Sequence, residues 1–334
     1  VATRVLAVDA THPDPAAIRE AVRVLQAGGL VAFPTETVYG LGGRALDPDA
    51  LARIFAAKGR PRTHPIIAHV EGEACARALA ARWSETASRL ARAFWPGPLT
   101  LVVPRAAHVP AALGGGTDSI GIRAPAHLVA RALLEALGEP IAAPSANRYQ
   151  ALSPTRAEHV LASLGDAAAD LVLDGGACDR GLESTVVDVR AEPRVLRPGS
   201  IDLAALGAIE PRVAYAQALA APTGEPRPSP GMDARHYAPR ATLRIAASRA
   251  AAAADAKERA ARGEVVGLVL RGHSLDVAVL VRTLPEDPAG YARELYATLH
   301  ELDAVPVDAI IVEAVPAEGP WRAVADRLAR ACTP

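Results

Sequence analysis

Lys58-Gly59-Arg60-Pro61 sets two cations on either side of a glycine, and Arg62 and His64 follow closely. That density of donors suits a polyphosphate. Cations also collect at helix C-termini, where they complement the dipole, so the segment leaves both readings open. Ala143-Pro144-Ser145-Ala146-Asn147 follows a short apolar run and presents Ser and Asn at alternate positions, either as donors and acceptors to one ligand or as an ordinary turn. Three further segments have the same double character. Pro34-Thr35-Glu36-Thr37-Val38-Tyr39-Gly40 offers hydroxyls and glycine after a buried strand, which fits a polar ligand or a turn. His69 stands inside an apolar run, as a core histidine or a ligand. In Ser119-Ile120-Gly121-Ile122-Arg123 the alternation puts Ser119, Gly121 and Arg123 on one face, so Arg123 is either an anion clamp or part of a solvated sheet edge. Gly114-Gly115-Gly116-Thr117 suggests a nest of backbone N–H groups but lacks the lysine and spacing of a P-loop.

Gly181-Leu182-Glu183-Ser184-Thr185 introduces a strand and Arg197-Pro198-Gly199 ends one, which adds two more polar clusters at strand ends. So many in one region exceed what packing alone requires. No H-E-x-x-H, G-x-S-x-G, G-x-G-x-x-G or Cys/His cluster with ligand spacing occurs. The chemistry expected is therefore positioning of two substrates and stabilisation of phosphate charge, with magnesium as the accompanying metal and no residue expected to ligate it.

The elements that must hold these residues are legible from punctuation. Asp14-Pro15 opens a helix with Ile18, Val22 and Leu25 on one face, and Gly28-Gly29 ends it. Asp47-Pro48 opens a second, ended by Gly59, which places Lys58 and Arg60 on an exposed helix exit. Strands are expected at Ile66–Val70, Leu99–Val103, Ser119–Arg123, Ile141–Ala143, Leu171–Asp174, Thr185–Val189 and Arg194–Arg197, with helices near 84–94, 127–137 and 155–164, the last with a Thr155/Glu158 capping box. This mixture predicts an open, mixed, twisted α/β sheet with helices over residues 1–207. The proline-rich stretch from Ala221 to Pro239 marks a linker within 208–240. Residues 241–334 read as a small, doubly wound, Rossmann-like α/β unit, with a strand at Leu243–Ala246, a helix from Ser248, strands Val265–Leu270 and Val277–Val281, a helix near 288–303, strand Ala309–Val312 and a helix from Pro320.

The 334 residues are enough for two cores, and 36 Lys+Arg against 37 Asp+Glu leave a net charge of −1. No strong general attraction to nucleic acid or anionic membranes is expected, and any anion site must be local. No apolar run is long enough to span a bilayer and no secretory signal is visible, so a cytoplasmic location is expected. Cys75, Cys178 and Cys332 are too few and too scattered for a disulfide framework.

In order along the chain, PTETVYGLG, KGRPRTHPII, FWPGPLTLV, SIGIRAP, APSANRYQALSPT, GLESTVVD and VLRPGSI resemble the YrdC-like family of threonylcarbamoyl-AMP synthases, and Ser229–Pro239 resembles the interdomain segment of its two-domain branch. The resemblance implies condensation of L-threonine, bicarbonate and ATP to threonylcarbamoyl-AMP and pyrophosphate, the product then passing to a threonylcarbamoyl transferase complex that acts on tRNA. It implies an ATP-facing set of Lys58, Arg60, Ser145 and Asn147, with His64, Ser119, Ser153, Arg197 and Tyr237 as further nucleotide contacts. It also implies a threonine-binding set of Thr37, His69, Arg123, Ala143 through its backbone, and Ser184. Tyr237 and His236 would belong to a linker folded over the site as a lid. Where the family pattern leads one to expect a small Ser-Gly pair, this chain has Arg148-Tyr149-Gln150-Ala151-Leu152, and Tyr149 is expected to reshape that loop. Two other readings are an RNA-binding module, disfavoured by the neutral charge and absent aromatic platforms, and a carbamoyl-adenylate-forming enzyme of the hydrogenase-maturation type, which would add cysteine pairs that this chain lacks.

Overall fold

The computed structural model describes residues 2–165, 168–216, 236–277 and 279–333. The first part of the chain runs β1 (Arg4–Ala7), α1 (Pro15–Gln26), β2 (Val31–Phe33), β3 (Gly40–Arg44), α2 (Pro48–Lys58), β4 (Ala68–His69), α3 (Glu73–Leu79), α4 (Glu85–Phe94), β5 (Leu99–Pro104), β6 (Ser119–Arg123), α5 (Leu128–Leu137), β7 (Ile141–Ala142), α6 (Ala157–Leu164), β8 (Leu171–Asp174), β9 (Thr185–Asp188), β10 (Arg194–Arg197), α7 (Leu203–Ile209) and β11 (Ala214–Tyr215). The second runs β12 (Thr242–Ala246), α8 (Arg249–Ala261), β13 (Val266–Arg271), β14 (Leu280–Leu284), α9 (Pro288–Asp303), β15 (Ala309–Glu313) and α10 (Arg322–Cys332).

The helix starts follow from their caps. Asp14 accepts from the Ala16 N–H ahead of Pro15, and Asp47 accepts from Asp49 and Ala50 ahead of Pro48. Gly59 takes the left-handed conformation that terminates α2 and turns the chain back toward the sheet. On α1, Ile18, Ala21, Val22 and Leu25 are buried, and burial of each of the larger ones contributes roughly 1.5–3 kcal/mol.

The large sheet has the order β1-β8-β2-β3-β7-β4-β6-β5-β9-β10-β11, with parallel and antiparallel neighbours mixed as expected. One core layer packs α1 and α5 on β2 and β8, and a second gathers α2, α4 and β5. The small sheet, β12-β15-β13-β14, is wholly parallel. Its two faces are covered separately, and one of the two clusters continues through Val38, Leu152, Leu182 and Tyr237. The two parts of the chain thus share one apolar core at their junction.

Several expectations shift. The strand expected at Ile66–Val70 shrinks to Ala68–His69, because the Ile66 N–H is spent on the Leu113 carbonyl. The Thr155/Glu158 capping box does not form. Arg156 is extended and α6 begins at Ala157, while the Thr155 N–H turns to His159 Nδ1 at 3.3 Å. The strand expected at Val277–Val281 is instead Leu280–Leu284, an edge strand that tolerates Arg282 and Thr283. The final helix starts at Arg322 after a 3-10 turn over Gly319–Trp321. The large sheet runs past position 207, since α7 spans it and β11 pairs with β10. Most of the proline-rich stretch, including Ser229–Arg235, lies outside the described residues.

Gly199 fixes how the Arg197-Pro198-Gly199 turn sits on the start of β9. A methyl group there would stand 2.3 Å from the Thr185 nitrogen and 2.7 Å from the Glu183 carbonyl. Gly199→Ala should therefore lower the midpoint of urea unfolding by the equivalent of about 2 kcal/mol or more, with the slope unchanged. An unaltered midpoint would show that the turn can move aside.

Candidate functional site

Thr37, Arg60, His69, Arg123, Ala143, Ser145, Ser184, Arg197 and Tyr237, all singled out above, line one cleft of about 570 Å3, solvent-facing space included. The wall is made where strands end. The Thr35 hydroxyl donates to the Val38 carbonyl at 2.6 Å and shares a 2.8 Å hydrogen bond with the Thr37 hydroxyl, so this segment is a turn and a cleft wall at once. The Ser145–Asn147 loop is held against the start of β3 by Leu41 N–H to Pro144 O and Ala146 N–H to Tyr39 O, each 2.8 Å.

Arg123 is almost wholly buried at the end of β6. Its Nη1 donates to the Thr37 hydroxyl at 2.8 Å, its Nε to the Gly97 carbonyl at 3.2 Å, and its Nη2 lies 2.7 Å from Glu36 Oε1. Burial would raise the Glu36 carboxyl, but Arg123 outweighs it and holds Glu36 below the usual carboxylate range. His69 beside them has its Nδ1 buried with no hydrogen-bond partner, and burial first, then Arg123, lowers it to about 3. It is a neutral imidazole throughout the physiological range.

On the other side, Arg60 donates to the Pro65 carbonyl at 2.9 Å, and Arg197 holds the Ser184 carbonyl and hydroxyl, both at 3.1 Å. Ser184 in turn shares a 2.7 Å hydrogen bond with Thr100. His236 and Tyr237 complete the wall. The His236 imidazole is held well below its usual range by burial first and then by the charges of Arg60, Lys58, Arg197 and Arg327. Such a concentration of positive charge out of water favours an anion. Asn147 Oδ1, His236 Nδ1 and the Tyr237 hydroxyl are also buried without hydrogen-bond partners. Orphaned polar atoms around one cleft are what a polar ligand would satisfy.

Five of the expected residues lie behind this wall. Lys58 is not on an exposed helix end: it is 2 % exposed, and its ammonium donates to the Ser145 carbonyl at 2.5 Å and to the Asn147 carbonyl. Arg60, at 7 %, is buried too, because Gly59 turns the chain inward. Burial, then Arg60, holds Lys58 well below its usual range. Asn147 spends its amide on the Arg148 and Ala151 carbonyls at 2.8 Å. Ser153 donates to Glu183, Ser119 shares a hydrogen bond with Thr117 at 3.2 Å, and His64 packs edge-on against Tyr149. The Gly114–Thr117 loop packs on the Thr63–Pro65 backbone, where a methyl on Gly115 would meet Thr63 O at 2.6 Å. Tyr149 stands between His64 and His236, and Gln150 O accepts from Ala238 N–H at 2.9 Å.

Glu36 and Glu183 are important residues that sequence reasoning passed over. Both sit inside motifs singled out above, and a carboxylate in a segment bound for the interior demands a cation. That requirement was the available signal, but the partners lie far away in sequence, Arg327 being 144 residues beyond Glu183.

Residues 23–199 match the family described as telomere recombination, and residues 201–333 match threonylcarbamoyl-AMP synthase, C-terminal domain. The threonylcarbamoyl-AMP synthase of Pyrococcus abyssi is 39 % identical over 322 residues, covering 94 % of this chain and 93 % of its own. That of Bacillus subtilis is 36 % identical over 321 residues, covering 94 % and 92 %. The crystal structure of P. abyssi Sua5 complexed with L-threonine superposes with a TM-score of 0.91 at 38 % identity, over 99 % of this chain and 98 % of that one.

The His236 imidazole is held low in the free cleft, and an anion placed beside it would favour its protonated form. Binding of inorganic sulfate, which carries no proton of its own near neutral pH, should therefore be accompanied by net proton uptake, read from binding heats in two buffers of different ionisation enthalpy. Sulfate binding without proton uptake would show that the anion sits away from His236.

Proposed function

Because the chain belongs to the threonylcarbamoyl-AMP synthase family, we infer that it makes threonylcarbamoyl-AMP and pyrophosphate from L-threonine, bicarbonate and ATP. The observation that carries this reading is the division of a single cleft. Arg123, Thr37 and neutral His69 form a half suited to a small zwitterion, and Arg60, Arg197 and the loop braced by Lys58 form a cationic half.

The threonine carboxylate would meet Arg123 and Thr37, whose mutual hydrogen bond fixes the guanidinium before the substrate arrives. His69, uncharged, would accept from the amine without repelling it. The amine takes up bicarbonate with loss of water to give a carbamate. One carbamate oxygen then forms a bond to the α-phosphorus as the bond from that phosphorus to the bridging oxygen breaks, and pyrophosphate leaves with its electron pair. Arg60, Arg197 and Lys58 would offset the charge on the leaving group, while Ser145 and Asn147 would frame the nucleotide. His236 and Tyr237 would keep water from the mixed anhydride. Ser119, Ser153 and His64 support this half from behind rather than from the wall.

Among the described residues no group of three or more His, Cys, Asp or Glu side chains could hold a metal. Magnesium enters this reading only as a companion of the nucleotide phosphates, and no step is routed through it. The product would pass to a threonylcarbamoyl transferase complex acting on tRNA. No helix among the described residues is long and apolar enough to cross a membrane, and a cytoplasmic site of action fits the reading.

Pyrophosphate release from ATP should require both L-threonine and bicarbonate; release indifferent to threonine would overturn the reading. Arg60→Gln and Lys58→Met should each lower kcat/KM by roughly 100-fold. Since both side chains are buried, each variant should also melt earlier than the parent, by a few degrees for about 1 kcal/mol lost.

A further inference from the structure

Four segments of the chain converge on one guanidinium. Arg327, on α10, is fully enclosed. Its Nε donates to Glu183 Oε2 at 2.7 Å, its Nη2 to the Pro198 carbonyl at 2.9 Å, and its Nη1 to Asp326 at 2.6 Å, while its Cζ stands 5.0 Å from the centre of the Tyr237 ring. Two of the four contacts end on residues that line the cleft, and a third on the neighbour of one that does. Glu183 and Tyr237 line it, and Pro198 follows Arg197, which lines it as well.

Glu183 is the other centre of this junction. It accepts from the Ser153 hydroxyl and, at 3.3 Å, from the Tyr296 hydroxyl on α9. Ser153 is held a second time from the same helix, through His300 Nε2 on its carbonyl at 3.1 Å, and the His300 ring stacks on His159 with centroids 4.0 Å apart. Glu183 directly precedes Ser184, the residue that Arg197 grips by both its carbonyl and its hydroxyl. The second domain is therefore connected to the cleft by directional contacts as well as by apolar packing.

A buried ion pair is a poor way to add stability, because well-packed apolar residues of similar volume usually do as well or better. What such a pair does supply is orientation. We propose that Arg327 is a positioning residue: through Glu183, the Pro198 carbonyl and the face of Tyr237 it sets the geometry of Ser184, Arg197 and Tyr237, so that the C-terminal domain completes the reaction cleft. This rests on the function proposed above.

The test compares Arg327→Met, Arg327→Lys and the double variant Glu183→Gln/Arg327→Met with the parent chain. Melting temperature, kcat and KM for L-threonine and ATP, and the affinities for L-threonine and pyrophosphate by calorimetry are measured on each. Arg327→Met leaves a buried carboxylate facing Arg197, Ser153, Tyr296 and Tyr237 with its nearest cation gone. It should melt earlier, lose about 100-fold in kcat/KM, and show an acid limb in its pH profile moved to higher pH. The double variant holds no buried carboxylate at 183. It should regain the melting temperature and lose the displaced limb, yet remain slow and bind pyrophosphate and threonine weakly. Arg327→Lys keeps the charge but not the fork of donors, and should fall between.

A double variant that recovers parental rate along with stability would reduce the pair to a folding contact and overturn the proposal, as would a folded Arg327→Met of parental rate. If Arg327→Met does not fold, the double variant decides. The parent's own threonine-dependent turnover tests the function separately. Should it be absent, the proposal still stands or falls on whether the folded double variant loses affinity for threonine and pyrophosphate.

Discussion

The cleft depends on keeping ionised side chains charged where there is little water. Arg60, Arg123, Arg197, Arg327 and Lys58 are all buried there, together with Glu36 and Glu183. An isolated charge in such a place would be too costly to keep, so each must be answered by a carboxylate, a carbonyl or a ligand. Two carboxylates answer two of the arginines: Glu36 with Arg123 at one end and Glu183 with Arg327 at the other. Lys58 is answered by two backbone carbonyls, and that same bond secures the Ser145–Asn147 loop. Positive charge is left in excess near His236, the part of the wall suited to phosphates.

This compensation explains why the two parts of the chain are built together. The apolar cluster of the small parallel sheet runs on into Val38, Leu152 and Leu182, which removes water from the junction. Removing water strengthens the Arg327–Glu183 pair and also makes either member expensive to leave alone.

Legibility in the sequence followed from how local the physics was. Asp-Pro starts and glycine stops marked α1 and α2 well, because capping is settled within a few residues. β3 was not foreseen, since Gly40-Leu41-Gly42-Gly43 reads as a loop. It is a strand because β2 and β7 pair with it on either side. β1, β11 and α3 are too short to stand out against their surroundings. Within the site, spacing placed Thr37, Arg123, Ser145 and Ser184 at strand ends, and there they are. It could not say that Lys58, Asn147 and Ser153 would turn their polar atoms onto neighbouring groups behind the wall. Nor could it announce Glu183 and Arg327 as partners, because only the folded chain brings them together.

The strand order has a further consequence for how the molecule forms. Residues 4–7 lie beside 171–174, and residues 99–102 beside 185–188, so the large sheet is stitched together by pairings distant in sequence. Such a topology folds slowly, because long loops must close before the contacts that reward closure are made. The cleft draws on segments scattered from Thr35 to Tyr237. Anion affinity should therefore emerge late and cooperatively during refolding, as a property of the assembled sheet that no early fragment possesses.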